Sequence, residues 1–168
     1  MIPPLKVNDD EYFIKILKHK YLIRVGAIGD GSCLLHSINF LSSRRYRHSN
    51  KKSRKLYSYN LRKMLTDNFT EDIYDKDLKD FGRSYNDLLK ELSNKRKWLS
   101  YLLVKYISDF VNRTLIVLYE DEKSGLIKPV QGTAVGDFHK KGRKYIILFW
   151  QGRVHFEPLY LYDKKKRK

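Results

Sequence analysis

The chain of 168 residues is long enough for one domain with a proper core and short for two, and its 42% hydrophobic and 32% charged residues are typical of soluble globular proteins. Its single cysteine, Cys33, excludes a disulfide framework and a zinc site built on several thiolates, and no apolar run approaches the roughly 18 residues of a membrane span. The net charge of +16 favours association with nucleic acid or another acidic partner, and an N-terminus without a secretion signal leads us to expect an intracellular protein.

The first predicted element is a helix over residues 9–20, because a polar side chain at its start can cap it and apolar residues recur at helical spacing. A short apolar segment follows at residues 21–25. The chain then enters a turn-rich stretch, residues 26–32, which contains three glycines. A second helix is predicted to open near Cys33, with an apolar inner face.

The middle of the chain alternates in charge. Residues 42–55 are strongly basic and are expected to form a solvated connection that leads into a helix over residues 56–65. Residues 68–80 are acidic by contrast. Two further helices are predicted over residues 85–92 and 97–111 from their apolar spacing.

The period of the apolar residues changes in the last third of the chain. Residues 114–119 and 144–150 are β-branched and apolar runs typical of buried strands, and residues 125–130 are a weaker candidate. A tight turn at residues 151–152 is expected to lead into residues 153–157. This distribution predicts the α+β class, with helices packed around a small mixed sheet in one domain, residues 1–163, followed by a basic tail, residues 164–168.

The most informative stretch of the sequence is the turn that precedes Cys33. Gly29, Asp30 and Gly31 form a turn that delivers the cysteine to the start of a helix, where unpaired amide groups and the helix dipole favour a thiolate. The same turn can direct backbone N–H groups at an oxyanion. The alternative is a glycine-rich connection whose cysteine packs inward as an inert thiol.

A cysteine nucleophile needs a base, and the chain offers five histidines: His19, His36, His48, His139 and His155. His36 lies three positions after Cys33, a spacing at which we do not expect a well-aligned bond between thiol and imidazole. His155 follows a hydrophobic strand and a turn, and Glu157 lies on the same face of the next strand, where it can orient the imidazole. A strand-end histidine beside a surface glutamate is more often structural than catalytic, so spacing alone leaves both interpretations open.

Two motifs together carry a resemblance to a known family. The run Gly29-Asp30-Gly31-Ser32-Cys33, with the apolar helix after it, resembles the nucleophile motif of the ovarian-tumour (OTU) family of cysteine proteases, and His155-Phe156-Glu157 resembles its terminal motif. Between them, the helix led by Trp98 and the strand at residues 114–119 are similar to the family's central elements. The ending in His-aromatic-Glu-Pro resembles that of compact members from large DNA viruses.

The resemblance implies a papain-like α+β fold and hydrolysis of bonds to the C-terminal glycine of ubiquitin or a ubiquitin-like modifier, polyubiquitin chains included. It implies that Cys33 is the nucleophile, His155 the base and Glu157 the orienting group, without a cofactor or a metal. The loop that binds the oxyanion is implied to consist of four residues: Asp30, Gly31, Ser32 and Cys33. The family more often has Asp or Asn where this chain has Glu157.

The charged segments suggest two further roles. Because the recognised surface of ubiquitin is basic, we expect an acidic surface to bind it, with Glu71, Asp72 and Asp75 as candidates; a solvated helix face is the alternative. The basic residues 44–55 and the tail at 164–168 are candidates for binding nucleic acid, and the tail also for a nuclear address beside a cytoplasmic location. The alternative function is therefore a non-catalytic protein that binds nucleic acid or another polyanion on the same scaffold.

Overall fold

The structure is a computed structural model that describes residues 5–8, 11–17, 20–130, 143–152 and 154–163, with only the backbone described up to residue 20. The tail at 164–168 and two histidines, His19 and His139, lie outside the described residues. Among the described residues, no helix is both long enough and apolar enough to cross a membrane.

Seven described strands form one mixed sheet in the order β1-β2-β3-β7-β6-β4-β5. Strands β4 and β6 are parallel to each other, and the other neighbouring pairs are antiparallel. The strands are β1 Leu5–Asn8, β2 Glu11–Leu17, β3 Lys20–Arg24, β4 Arg113–Glu120, β5 Ile127–Pro129, β6 Lys144–Gln151 and β7 His155–Asp163. The strands predicted in the last third of the sequence are all present, and the α+β class is confirmed.

The predicted first helix is wrong, because residues 11–17 form strand β2 between β1 and β3. The segment reads Glu-Tyr-Phe-Ile-Lys-Ile-Leu, and its aromatic and β-branched residues suit a strand as well as they suit a helix face. Pairing decides between the two: Ile14 lies opposite Leu22 and Phe13 opposite Ile23, and both β3 residues are buried. The spacing of apolar residues within one segment gives no information about pairing with a second strand.

Six α-helices are described: α1 Cys33–Ser42, α2 Arg44–Arg47, α3 Lys51–Asn68, α4 Glu71–Asp77, α5 Tyr85–Ser93 and α6 Val104–Val111. The helix predicted to open near Cys33 and the helix predicted over residues 85–92 are confirmed. The basic stretch is not a mere connection, since it contains α2 and the first turn of α3, where the Asn50 side chain caps the helix by accepting from the Ser53 amide.

The helix predicted over residues 97–111 begins only at Val104, after a short 3-10 turn. In the segment before it, the carbonyl of Lys97 accepts a hydrogen bond from Arg62, and the amide of Ser100 donates to the Glu91 carboxylate. Trp98 lies in this irregular segment and is 51% exposed. The prediction that the helix over residues 97–111 is led by Trp98 is therefore wrong.

The core lies between the helices and the sheet, and it fixes the helix that carries Cys33 against the strand that carries His155. Leu34, Leu35 and Ile38 of α1 are fully buried in the same cluster as Phe156 of β7. The Ser37 hydroxyl adds a polar link, with the Cys33 carbonyl at 2.8 Å and the Phe156 carbonyl at 3.1 Å. These contacts hold helix α1 and strand β7 together next to Cys33 and His155.

Candidate active site

Cys33 is the first residue of α1 and is buried beneath the turn that precedes it. The turn is closed by three hydrogen bonds from backbone amides: Asp30 N to Ile28 O at 3.0 Å, Ser32 N to Asp30 Oδ1 at 2.8 Å and Cys33 N to Asp30 O at 3.2 Å. These bonds give the turn a defined shape. The role of Asp30, Gly31, Ser32 and Cys33 as an oxyanion loop stays a prediction.

His155 and Glu157 stand at the start of β7 with their side chains on one face of the sheet, as alternation along a strand requires. Antiparallel pairing with β6 places His155 opposite Gln151 and Glu157 opposite Phe149. The imidazole Nε2 lies 3.5 Å from Glu157 Oε1, and the ring also hydrogen-bonds to the Cys33 side chain. The structure therefore brings together a thiol and an imidazole that are 122 positions apart in the sequence, with a carboxylate beyond them.

Hydrogen bonds with Cys33 and with Glu157 raise the pKa of His155 to about 9, against burial, which lowers it. Burial by itself raises the pKa of the Glu157 carboxyl, but hydrogen bonds from His155 and Arg24 outweigh it and leave that pKa below its usual value. At neutral pH the site thus holds an imidazolium next to a carboxylate. An imidazolium in this position can donate a proton, as catalysis by a thiol–imidazole pair requires.

Arg24, which sequence reasoning did not single out, holds the carboxylate of Glu157. Arg24, at the end of β3, donates from Nε to Glu157 Oε2 and from Nη2 to Gln151 Oε1 at 2.7 Å, and its guanidinium lies 4.4 Å from the centre of the Phe149 ring. Glu157 therefore shares its two oxygens between His155 and Arg24. Because the longer Glu side chain is fixed in this way, it reaches the imidazole where the family more often uses a shorter residue.

An aromatic stack supports the turn before His155. Trp150 lies between Phe156, with ring centroids 5.7 Å apart, and Tyr101, with centroids 5.4 Å apart, and both pairs are stacked. Gly152 adopts a left-handed conformation with φ of 54° in this turn, which glycine allows at low cost. The predicted turn at residues 151–152 is confirmed, and the stack fixes the strand ends on either side of it.

Asp30 is held from the other side by a buried polar network. Its Oδ2 lies 3.2 Å from His36 Nε2, while His36 Nδ1 lies 2.6 Å from the Tyr46 hydroxyl and 2.9 Å from the Ser58 hydroxyl. Burial lowers the pKa of His36 despite the neighbouring Asp30 carboxylate. Since a carboxylate can only accept, Nε2 carries the proton and Nδ1 accepts from a hydroxyl. His36 is thus engaged away from Cys33, in accordance with its exclusion as the base.

A cleft of about 840 Å³ opens next to the site on the face that carries Arg24. Its walls come from the end of β6 and from the turn between β4 and β5, with several acids on the rim; it is lined by Arg24, Tyr119, Glu120, Asp121, Glu122, Lys123, Phe149, Trp150, Gln151 and Gly152. The cleft reaches the site through Arg24 and Gln151, and neither Cys33 nor His155 is among the residues that line it.

The other residues predicted to bind partners lie on the surface. Glu71, Asp72 and Asp75 are exposed on α4, and the adjacent Asp77 pairs with Lys105 at 2.6 Å. On the basic side, most cations of α2 and of the first turn of α3 are exposed, whereas Tyr46 among them is buried. Their roles in binding stay predictions.

The buried Cys33 thiol is hydrogen-bonded to the His155 imidazole, and the Glu157 carboxylate lies on the other side of the ring. This arrangement is that of a cysteine protease. The family model for OTU-like cysteine proteases matches residues 28–156, from the turn before Cys33 to the residue after His155. That match covers more than half of the chain, and the chain belongs to the OTU-like cysteine protease family.

Solved structures agree on the fold. They include the OTU domain of OTUD1, with 15% identity and a TM-score of 0.60 over 84% of this chain and 85% of that one. The Hazara virus OTU bound to ubiquitin has 18% identity and a TM-score of 0.55 over 96% of both chains. The viral OTU domain protease from Taggert virus has 18% identity and a TM-score of 0.57 over 92% of this chain and 98% of that one. Curated protein sequences gave no match.

Proposed function

We propose that this cysteine protease hydrolyses isopeptide bonds to the C-terminal glycine of ubiquitin or a ubiquitin-like modifier, with Cys33, His155 and Glu157 as a catalytic triad. The observation that carries the proposal is the imidazole of His155, which hydrogen-bonds to Cys33 and lies 3.5 Å from Glu157. Family membership supports the protease chemistry. The substrate class is suggested by the Hazara virus OTU, a structure with ubiquitin bound.

In the first half of the proposed reaction, the Cys33 thiolate attacks the glycine carbonyl carbon and forms a C–S bond. The carbonyl oxygen becomes an oxyanion, for which the Gly31 amide is the candidate donor in the turn from Asp30 to Cys33, because the other three amides already donate within the turn. Collapse of this intermediate breaks the C–N bond, and the leaving lysine amine takes the proton of the His155 imidazolium. The product is a thioester between the modifier and the enzyme.

In the second half, His155 is neutral and takes a proton from water as the water oxygen attacks the thioester carbonyl. The C–S bond then breaks, the modifier leaves as a carboxylic acid that ionises in solution, and Cys33 returns as a thiolate beside protonated His155. Glu157 stabilises the imidazolium in each half by its charge, and Arg24 keeps the carboxylate in place. The acids of α4 are proposed to bind the basic surface of the modifier.

The proposal predicts that ubiquitin carrying a C-terminal propargylamide will attach covalently to the protein and that the adduct maps to Cys33. Labelling should disappear in Cys33→Ala, because Cys33 is the only thiol of the chain. Probes built on ubiquitin-like modifiers and a panel of defined di-ubiquitins would identify the preferred substrate. A folded wild-type protein that reacts with none of the probes and cleaves none of the chains would refute the proposed function.

The basic surface favours a second candidate function, binding of nucleic acid. No acidic residue occurs between Asp30 and Asp67, so α2 and most of α3 present cations without an acid of their own. Exposed members of this surface include Arg44, Arg45, Arg47, Lys51 and Lys52. Phosphates are the natural counter-charges for such a face, and their contacts would make the affinity depend strongly on salt.

This second candidate predicts that the triple variant Arg44→Glu, Arg47→Glu, Lys51→Glu weakens binding to double-stranded DNA. If all three side chains contact phosphates, the slope of log affinity against log salt should fall by roughly 2 to 3, from about 0.9 per contact. Fluorescence anisotropy over a salt series measures this slope, and Cys33→Ala is the matched control, which should bind like the wild type. Salt-independent binding, or a triple variant with an unchanged slope, contradicts this role.

A further inference from the structure

Arg62 is a buried arginine in the middle of α3, with 2% of its surface exposed. All three of its guanidinium nitrogens donate hydrogen bonds, and four of the five acceptors are backbone carbonyls. The bonds run from Nε to Leu92 O at 2.7 Å, from Nη1 to Gly31 O at 2.8 Å and Ser32 Oγ at 3.0 Å, and from Nη2 to Glu91 O at 2.6 Å and Lys97 O at 2.7 Å. One side chain thus joins the turn before Cys33 to the segment of residues 91–97.

The position of Arg62 is costly for a charged residue. It occupies the buried stripe of α3 between Ser58 and Leu65, where an apolar side chain would pack without desolvating a charge. Burial lowers the pKa of Arg62 to about 10, although Glu91 and Asp30 act in the opposite direction, so the group is charged at neutral pH. A charged group in such a place is explained by the carbonyls that converge on it, since they need a donor with several N–H groups in a fixed fork.

The turn and the segment that Arg62 joins are in unusually close contact. A Cβ atom on Gly31 would lie 2.6 Å from both Lys95 O and Lys97 O, nearer than real Cβ contacts occur. The carbonyls of Gly31 and Lys97 both accept hydrogen bonds from the Arg62 guanidinium, the first from Nη1 and the second from Nη2. Arg62 therefore lies where the turn and the segment meet and links the two.

The peptide unit between Gly31 and Ser32 is fixed at both of its polar ends. Its carbonyl accepts from Arg62 Nη1 at 2.8 Å, and its N–H donates to Asp30 Oδ1 at 2.8 Å. This is the last peptide unit before the one that carries the Cys33 amide. Its orientation determines where the following backbone places the thiol and the amides around it.

We propose that Arg62 is a positioning residue for the nucleophile: by holding the Gly31 carbonyl and the Ser32 hydroxyl, it sets the turn so that Cys33 faces His155. The inference rests on the proposed role of Cys33 as nucleophile and adds a residue that does not touch the substrate.

The test is Arg62→Lys, which keeps the charge and loses the fork. We expect kcat for ubiquitin with a C-terminal fluorogenic amide to fall about 100-fold, the effect of a misplacement of about 1 Å, with KM nearly unchanged. Alkylation of Cys33 by iodoacetamide should slow in parallel. Hydrogen exchange of the amides at residues 30–33 should become faster, because the carbonyl of Gly31 loses its donor.

Arg143→Lys is the matched control, because Arg143 is also a buried arginine that donates to a backbone carbonyl. Its Nη2 donates to Ser108 O at 3.0 Å and to Asp109 Oδ1 at 2.9 Å, and neither partner belongs to the turn. We expect Arg143→Lys to lose thermal stability without a change in kcat or in the exchange at residues 30–33. Equal losses of kcat in the two variants would show a purely structural role for Arg62 and overturn the inference, as would an unchanged kcat in folded Arg62→Lys.

A second variant keeps the inference falsifiable if Arg62→Lys does not fold. Ser32→Ala removes one acceptor of the guanidinium with a minimal change of shape, and we expect slower alkylation of Cys33 and a lower kcat at unchanged KM; wild-type rates of both would overturn the inference. If wild-type protein ignores ubiquitin probes, the proposed function has failed. The alkylation and exchange measurements still decide whether Arg62 positions the turn, because they need no ubiquitin.

Discussion

Replacing His155 with alanine is expected to lower kcat for cleavage of a ubiquitin amide by on the order of 10⁴-fold or more, close to the loss expected for Cys33→Ala. Without the imidazole, the thiolate loses its positive neighbour and the leaving amine loses its proton donor. The effects of mutating residues that act as a unit are strongly non-additive. The double variant of Cys33 and His155 should therefore have a kcat no lower than that of the less active single variant. Single-turnover assays with excess enzyme measure all three.

The control for this prediction is His48→Ala. His48 is exposed at the end of α2. His48→Ala also replaces one histidine with alanine, and it should leave kcat unchanged. A His155→Ala variant that keeps more than about a tenth of the wild-type kcat would exclude His155 as general base, because this role contributes about 10²-fold or more.

The pH dependence follows from the raised pKa of His155. Its value of about 9 is expected to appear as the alkaline limb of kcat/KM, where the imidazolium loses its proton. In Glu157→Gln the hydrogen bond and the charge that raise this pKa are weakened, so the limb should move to lower pH. For stability, a raised pKa means that the contribution of His155 is complete below about 6.5 and is lost as pH rises through about 9.

The elements that the sequence predicted well are those whose signals are local. A glycine-rich turn before a helix places Cys33 at a helix start whatever the rest of the chain does, and alternation along a strand puts His155 and Glu157 on one face. The N-terminal hairpin was mispredicted because its state depends on pairing with β3. The helix led by Trp98 was mispredicted in a segment whose first carbonyl, that of Lys97, accepts from Arg62, 35 positions earlier.

The supporting residues of the site could not be found by spacing, since their partners are distant in sequence. Arg24 reaches Glu157 over 133 positions, and nothing near Arg24 marks it as more than the end of a strand. Arg62 did leave a signal. It stands at a core position of a helical stripe, with Ser58 four residues before and Leu65 three after, and a charged residue there indicates a partner inside the protein.

Gly31→Ala is expected to be the most destabilising single-methyl change in the turn. The added Cβ would meet two backbone carbonyls at 2.6 Å, and backbone cannot rotate away as a side chain can. Overpacking of this kind costs about 3 kcal/mol, which lowers Tm by roughly 10 °C for a chain of this size. Displacement of the turn would also separate the Gly31 carbonyl from Arg62, so kcat should fall in the fraction that stays folded.

Gly29→Ala, two residues earlier in the same turn, is the matched control. Gly29 is exposed, its φ is not positive, and a Cβ there would have nothing within 4 Å. Alanine at such a position reduces the freedom of the unfolded chain, so stability should be unchanged or higher by up to about 1 kcal/mol. Thermal unfolding followed by circular dichroism compares the two. If Gly31→Ala and Gly29→Ala had the same Tm, the turn before Cys33 would not be packed against residues 95–97 in solution, and the close approach beside Arg62 would not exist.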